Sequence, residues 1–387
     1  MKYPCLMIFL FITVLTPPLS GGVASAVMVD ADLQGVALFL DGTYLGQAPQ
    51  DIQNITPGEH QVAATVTGHP AQTKNITMSS GTADPVHFVF GSSGKPYVPG
   101  KLAVRDCVGE PAMTGLLGTS VTVTALSDGA LMAYYSGFGD GIRCAGSRDG
   151  SLWYEYPDEC LAPETGVSSS SLLSSPWVFE QSDGGFRMIY GSSDRDGPAL
   201  YSAVSEDGTR FTPEGRVTLT HAPDSSSTPG DQFSIPSGLR LADGRLRMYY
   251  AAPGGEIRSA VSGDDGLTWT GEEGVRLQGA TDPSAVILPG GKPGLFYVDL
   301  SAGSKGQKLM LATSPDGLVF TPSSLGPLLE SQEKGVWILD PDMLITKDGK
   351  SSLFFSLIGS PGEAGIRSPI IMKSVIDIPC LLSKISG

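Results

Sequence analysis

A short segment with the pattern Ser-x-Asp-x-Gly-x-Thr-Trp occupies residues 262–269, and looser Ser-x-Asp-Gly copies begin at Ser147, Ser205 and Ser314. The separations between successive acids are 58, 58 and 51 residues when they are counted at Asp149, Asp207, Asp265 and Asp316. A period near this length is typical of propellers, in which each blade is a four-stranded sheet. These four repeated segments, called the octets below, therefore predict an all-β fold before any single residue suggests a function.

Tight turns predict the number of blades. Each turn glycine precedes a short apolar strand rich in aromatic residues, and the glycines are Gly129, Gly184, Gly244, Gly290 and Gly349. The fifth repeat lacks an octet, and residues 102–104 lack a partner. We therefore expect a five-bladed β-propeller over residues 101–380, closed by an N-terminal strand that pairs with the last blade and so removes exposed edges.

The first 26 residues have the organisation of a signal peptide. Lys2 precedes an apolar run over residues 6–19, and Ala24-Ser25-Ala26 has the small-x-small pattern of a signal-peptidase site. The run is shorter than the roughly 20 apolar residues that span a bilayer, which disfavours the alternative of a membrane anchor. We expect an exported protein, secreted or at the cell surface, that begins at Val27 and has no transmembrane segment.

Export makes the cysteines informative, because disulfides persist in oxidising compartments. Four cysteines follow the predicted leader: Cys107, Cys144, Cys160 and Cys380. Cys107 and Cys380 stand at the two ends of the repeat region, whereas Cys144 and Cys160 flank one octet. We expect these two pairs; free buried thiols are the alternative.

Residues 27–92 alternate short apolar runs with turn residues, which predicts a small antiparallel β-sandwich. The order of the pieces resembles the PEGA domain: residues 35–42 read GVALFLDG, residues 45–49 LGQAP and residues 57–62 PGEHQV. The resemblance implies a non-catalytic surface module of exported proteins. Residues 93–100 are predicted to be a linker.

The formal charge of −15 disfavours nucleic acid and anionic lipid as partners. Three of the four histidines, His60, His69 and His87, lie in the small module at spacings that do not converge metal ligands. We expect no metal site and no cofactor.

The octet pattern resembles the Asp-box of sialidases. In that interpretation Asp and Gly shape a tight turn, Ser hydrogen-bonds it, and the following aromatic ring is buried between blades; the four rings are Trp153, Phe211, Trp269 and Phe320. The octets are thus expected to be structural and to lie on the rim. Ligands are expected instead at the central channel.

The first strands of the blades are expected to line that channel, and two of them carry Asp-Pro at the same register, at Asp282 and Asp340. This layout resembles the five-bladed arabinanases, invertases and levansucrases, whose Asp-Pro strands supply inward acids. Such glycosidases need a carboxylate pair and a third acid that tunes it. Asp342 and Glu333 are the candidates nearby in sequence.

The other three blades offer no acid at this register, since Gly118, Ser175 and Ile235 stand at the matching positions. The set of inward acids is therefore one short of the set that the resemblance implies.

A sialidase-like site would need three arginines for a substrate carboxylate. Equivalent third-strand positions are occupied by Arg143, Arg258 and Arg367, with Tyr201 at a fourth, and Trp177 lies on a channel strand. These five residues are the candidate ligand-binding residues. The alternative for the arginines is ion pairing with the acidic surface.

Together these features predict an exported protein whose propeller binds carbohydrate or another extracellular ligand, such as a cell-envelope polymer. The first alternative is a glycoside hydrolase that uses Asp282, Asp340, Asp342 and Glu333. A structural envelope component is the second alternative.

Overall fold

The computed structural model describes residues 25–33, 36–41, 43–65, 72–79, 83–90, 102–137, 141–156, 158–163, 173–194, 197–220, 222, 224, 236–301, 307–332, 335–359 and 369–385. Within these ranges the chain forms 31 strands and one short helix, which confirms the all-β fold class. No helix in this part of the chain is long and apolar enough to cross a membrane. The predicted leader up to residue 24 and the predicted linker lie outside the described residues.

The N-terminal module contains seven strands: β1 (Ser25–Ala31), β2 (Ala37–Leu40), β3 (Thr43–Gln47), β4 (Gln50–Ile55), β5 (Gly58–Thr65), β6 (Gln72–Met78) and β7 (Val86–Phe88). They form two sheets, with the strand orders β4-β1-β7 and β3-β2-β5-β6. Buried apolar side chains from both sheets, among them Val29, Leu38 and Val62, fill one core between them. The module is thus the small β-sandwich that the turn pattern predicts.

Strand β1 begins two residues before the predicted mature N-terminus. The buried Ser25 hydroxyl donates to the carbonyl oxygen of Ser79 at 2.6 Å, and the amide of Ala83 donates to the carbonyl oxygen of Ala26 at 2.9 Å. Cleavage before Val27 would remove both hydrogen bonds.

The propeller follows. Two strands precede its first blade, β8 (Leu102–Val104) and β9 (Ala112–Leu117). Blade one contains β10 (Thr119–Ala125), β11 (Leu131–Ser136), β12 (Ile142–Ser147) and β13 (Tyr154–Glu155). Blade two contains β14 (Ser174–Glu180), β15 (Phe186–Asp194), β16 (Gly197–Ser205) and β17 (Thr212–Arg216).

Strand β18 (Thr218–Thr220) leads to blade three, which contains β19 (Ser237–Arg240), β20 (Leu246–Ala252), β21 (Glu256–Ser262) and β22 (Thr268–Gly271) and is extended by β23 (Leu277–Gln278). Blade four contains β24 (Ala280–Ile287), β25 (Pro293–Asp299), β26 (Lys308–Thr313) and β27 (Thr321–Pro322), followed by β28 (Leu329–Ser331). Blade five contains β29 (Val336–Ile345), β30 (Ser351–Gly359) and β31 (Ile370–Val375), and α1 (Ile378–Ile385) ends the described chain.

The first strands of the blades surround the channel. Strand β29 contacts β24 and β10, β10 also contacts β14, and β19 contacts β24. Blades two and three meet where the ring of Trp177 packs against Gly238, at which a Cβ atom would lie 2.5 Å from the indole. The expectation that first strands line the channel agrees with these contacts.

The ring closes through β9, which pairs antiparallel with β31 as the fourth strand of blade five. The expected closure is therefore present, but residues 102–104 do not provide it. They form β8, which pairs with β28 beside blade four. Residues 112–117 take the closing position because they lead directly into the first strand of blade one.

Two disulfides join the cysteines in the predicted pairs, Cys107 with Cys380 and Cys144 with Cys160. The first attaches α1 to the segment between β8 and β9. An ion pair between Lys384 and Asp106, at 2.8 Å, lies beside it.

Each octet forms a turn held by its serine and its acid. In residues 262–269 the Ser262 hydroxyl accepts the amide of Gly266 at 2.9 Å, and the Asp264 carboxylate accepts the amide of Thr268 at 2.9 Å. Asp149, Asp207 and Asp316 make the equivalent contacts in the other three octets. Asp264 is therefore the structural counterpart of Asp149, Asp207 and Asp316. Counting the period at Asp265 was wrong by one residue, because residues 262–269 contain one more residue between the acid and the glycine than the other three segments do.

The aromatic rings that follow the turns are buried against the preceding blade, as predicted. Their partners are arranged edge-on or tilted at 5.5–6.1 Å between ring centroids: Trp153 with Phe354, Phe211 with Tyr134, Trp269 with Trp177, and Phe320 with Tyr249. The octets thus join neighbouring blades and contribute nothing to the channel.

Candidate functional site

A shared bulge sets the geometry of the channel strands. One residue in each of β10, β14, β24 and β29 adopts a left-handed backbone with φ between 51° and 53°: Ser120, Ser175, Asp282 and Asp340. The strand register shifts at each of these positions. Such backbone is uncommon for residues other than glycine. Blade one has its bulge at Ser120, so aligning Gly118 with the acids was wrong by two residues; Ile235 of blade three lies outside the described residues.

The three channel acids connect blades four, five and one. The Asp282 carboxylate accepts the amide of Asp340 at 3.3 Å, and the Asp340 carboxylate accepts the amide of Ser120 at 2.8 Å. Asp342 lies two residues after the bulge and accepts the amide of Val123 at 2.8 Å. Each carboxylate therefore bonds the backbone of the next blade in the ring.

Serine hydroxyls perform the same task elsewhere in the ring. Ser356 accepts the amide of Ser120 at 3.1 Å beside Asp340, and its counterpart in blade one, Ser136, accepts the amide of Ser175 at 3.2 Å. At the position of Asp342, Ser284 of blade four and Ser237 of blade three accept the amides of Met343 and Ala285 at 2.8 and 3.0 Å. At these three positions a hydroxyl accepts the amide where no acid is present.

Burial perturbs the acids strongly. Asp282 and Asp340 are only 7% and 6% exposed. Burial raises the pKa of Asp282 to about 7, and the neighbouring Asp340 carboxylate adds to the shift. Burial also raises the pKa of Asp340, and it raises the pKa of Asp342 to about 7.

No lysine or arginine compensates these charges, since none of the ion pairs formed within the described ranges includes Asp282, Asp340 or Asp342. A carboxyl group with a pKa near 7 is partly protonated at neutral pH and is suited to general acid or base catalysis. Perturbed acids of this kind cluster at functional sites.

A cavity of about 340 Å³ lies in the channel beyond the bulges. Asp342 is the one channel acid that lines it; Trp177, Arg240 and Met343 are among its other lining residues. This volume is at the small end of the range for ligand pockets, about 300–1,000 Å³.

The predicted arginine triad does not assemble from its described members. Arg143 pairs with Glu155 and donates to the carbonyl oxygen of Tyr156 at 3.3 Å. Arg258 pairs with Glu256 at 2.8 Å and with Asp224 at 3.3 Å. Neither lines the channel cavity. Both third-strand side chains meet acids of their own blade or its flanking loop, so the ion-pair alternative describes them.

The remaining candidates divide between packing positions and undescribed segments. Tyr201 stacks on Tyr190 within blade two at 5.9 Å between ring centroids. Trp177 is buried between blades two and three, although part of it lines the channel cavity. Glu333 and Arg367 lie outside the described residues.

Sequence reasoning missed Trp337 and the acceptor serines. Trp337 is 37% exposed and lies on β29, three residues before Asp340. Its position close to the Asp-Pro pair at Asp340 was the sequence signal that could have identified it. The serines gave none, because their role depends on the neighbouring blade. In the described part of the chain no three His, Cys, Asp or Glu side chains are grouped to hold a metal ion.

Comparison with known proteins identifies solved structures that share this fold. No family model and no curated protein matches the sequence. Solved structures do: a thermostable family-43 glycoside hydrolase has 16% identity and a TM-score of 0.53, with 70% of this chain and 91% of that chain covered. The propeller has the fold of these hydrolases.

Two further structures support this. A xylan β-1,4-xylosidase from Bacillus halodurans C-125 has 15% identity and a TM-score of 0.51, over 70% of this chain and 54% of that one. A family-43 protein from Bacillus licheniformis has 11% identity and a TM-score of 0.54, over 72% and 57%. At these identities the similarity establishes the fold alone.

Proposed function

We propose that this chain is an exported glycoside hydrolase that acts on carbohydrate at the end of the channel where Asp282 and Asp340 lie. The observation that carries the proposal is the pair of buried, mutually interacting carboxyl groups on adjacent blades, without a compensating cation. The shared fold with family-43 hydrolases supports it. The fold that the propeller shares with these hydrolases favours turnover over binding alone.

Glycoside hydrolysis uses one carboxyl group as general acid and a second as base or nucleophile. Two adjacent carboxylates in a buried site are costly to ionise together, so such a pair retains a proton near neutral pH. Asp282, with its pKa near 7, is suited to hold that proton. Asp342 would supply the third, tuning carboxylate.

The test is turnover by the full chain and by an Asp340→Asn variant. The amide oxygen of asparagine still accepts the Ser120 amide, so the fold should persist while the acid–base function is lost. We expect wild type to release product from at least one substrate of a panel of aryl glycosides, sialosides, xylan, arabinan and galactan. The variant should be slower by at least about 100-fold.

Asp348→Asn is the matched control. Asp348 lies in the hairpin of the same blade, is exposed, and bonds Thr346 and Lys350. It should retain wild-type rates. The proposal fails if wild type turns over no member of the panel, or if Asp340→Asn remains as fast as wild type.

Carbohydrate binding without turnover is the second candidate. It is favoured by one observation: all three acids already accept backbone amides, as an acid with a purely structural task would. Saturable binding of an oligosaccharide that the same preparation leaves intact would support it.

A further inference from the structure

The N-terminal module packs against the outer edge of blade one. Phe39 and Ala63 of its four-stranded sheet form a buried cluster with Tyr154 of β13, and the rings of Phe39 and Tyr154 are 5.7 Å apart. The Tyr154 hydroxyl donates to the side-chain oxygen of Gln61 at 2.7 Å. The outward face of this sheet, opposite its apolar core, is therefore partly covered by the propeller.

A polar cavity of about 340 Å³ lies beside this contact. The module contributes Gln61, Thr73 and Asn75, and blade one contributes Arg143, Glu155, Tyr156 and Asp158. The register of β5 and β6 explains the module's share: Gln61 is opposite Asn75 and Ala63 is opposite Thr73, so these side chains emerge on one face. We call this cavity the junction pocket.

Several donors in the junction pocket are unused. Within the described residues, the Thr73 hydroxyl and the Asn75 side-chain nitrogen have no hydrogen-bond partner, whereas the Asn75 oxygen accepts from Gln61 at 3.2 Å. The Nε of Arg143 is buried and also has no partner. Thr73 and Asn75 are exposed, so a bound hydroxyl oxygen would accept hydrogen bonds that these two side chains otherwise donate to water.

The charged residues of the junction pocket are all paired, although Arg210, the partner of Asp158, does not line the pocket. Arg143 pairs with Glu155, and Asp158 pairs with Arg210 at 3.1 Å. The chain as a whole is strongly acidic, which disfavours an anionic ligand. A neutral ligand with many hydroxyl groups fits best, because each hydroxyl both donates to Glu155 or Asp158 and accepts from Thr73, Asn75 or Arg143.

We propose that the junction pocket binds one or two units of a neutral saccharide, at a site separate from the channel. The ring of Tyr156 supplies an apolar surface for a sugar ring. The inference rests on the proposed function only for the choice of probes, since the pocket itself is built from other residues.

The test is calorimetric titration of the full chain with xylotetraose and with arabinotetraose, performed both in wild type and in Asp340→Asn to prevent turnover. We expect saturable binding of at least one probe in both backgrounds. Thr73→Val and Asn75→Ala should each weaken it at least tenfold. Both residues are exposed on the sheet, so thermal unfolding midpoints should not change.

Thr77→Val is the matched control, because Thr77 lies on the same strand and face but outside the pocket and bonds Glu59. Its affinity should equal that of wild type. Absence of saturable binding, or unchanged affinity in Thr73→Val and Asn75→Ala, would overturn the inference. A sugar that binds only in the channel would leave the affinity of Thr73→Val and Asn75→Ala unchanged. If only the hydrolase proposal fails, the sugar still binds the junction pocket but no turnover is measured.

Discussion

Two junctions between neighbouring blades satisfy the same backbone amide with different side chains. Between blades one and two, the Ser175 amide at the bulge is accepted by the hydroxyl of Ser136. Between blades five and one, the equivalent amide of Ser120 is accepted by the hydroxyl of Ser356 and also by the carboxylate of Asp340. Since a hydroxyl suffices in the first junction, the carboxylate in the second is not required by the fold. Burying an acid without a cation is costly, and the proposed catalytic role of Asp340 would account for that cost.

The largest effect should appear in turnover when the residue at the bulge is substituted in two different blades. We expect Asp282→Asn to lower kcat at least about 100-fold, because the group that holds the proton is lost. Ser175→Gly alters the equivalent residue of blade two, where glycine readily adopts the left-handed backbone. It should stay within about threefold of wild type. Equal losses in the two variants would contradict a special role of the Asp282 carboxyl group in turnover.

The next effect concerns pH. The folded chain holds a proton on Asp342 up to pH about 7, whereas an unfolded aspartate releases it near about 3.9. The free energy of unfolding should therefore fall as pH rises from about 4 to about 7, by at most about 4 kcal/mol for this group. Asp342→Asn should remove the part of this decrease that comes from Asp342. The variant should therefore be more stable than wild type at pH 8.

Urea denaturation at pH 5 and pH 8 measures this. A variant whose free energy of unfolding falls with pH as steeply as that of wild type would show that Asp342 titrates normally. Ser284 holds the same position in blade four, but its hydroxyl does not titrate in this pH range, so it contributes no pH dependence to the free energy of unfolding.

The smallest effect compares the two acceptor serines directly. Ser136→Ala leaves the Ser175 amide without its side-chain acceptor and should cost about 1–3 kcal/mol in the free energy of unfolding. Ser356→Ala should cost less, because Asp340 still accepts the Ser120 amide. Urea denaturation of both variants at pH 6 tests the order. The reverse order would show that the hydroxyl, rather than the acid, satisfies Ser120.

Local patterns carried the fold prediction. Turn glycines such as Gly129 and aromatic residues such as Trp269 act within a few residues of their own position, so the blade number and the buried rings could be read from sequence. The closing strand was misassigned because β8 and β9 are both short, and only their pairing with β28 or β31 distinguishes them.

The site was less accessible to sequence reasoning. Asp-Pro marked Asp282 and Asp340, but their hydrogen bonds cross from blade to blade and have no sequence signature. The arginines shared one register, yet that register placed Arg143 and Arg258 against acids of the same blade or its loop. The junction pocket depends on contact between two modules, and no local pattern anticipates such a contact.

The disulfide between Cys107 and Cys380 joins two residues that are 273 positions apart and closes one covalent loop. The propeller is therefore topologically a macrocycle, in which no blade is truly first or last. In the chain-entropy model such a closure restricts the unfolded chain by about 5–6 kcal/mol. A single cut in any loop between blades would leave one connected molecule, so the chain ends of this ring can be relocated without separating its parts.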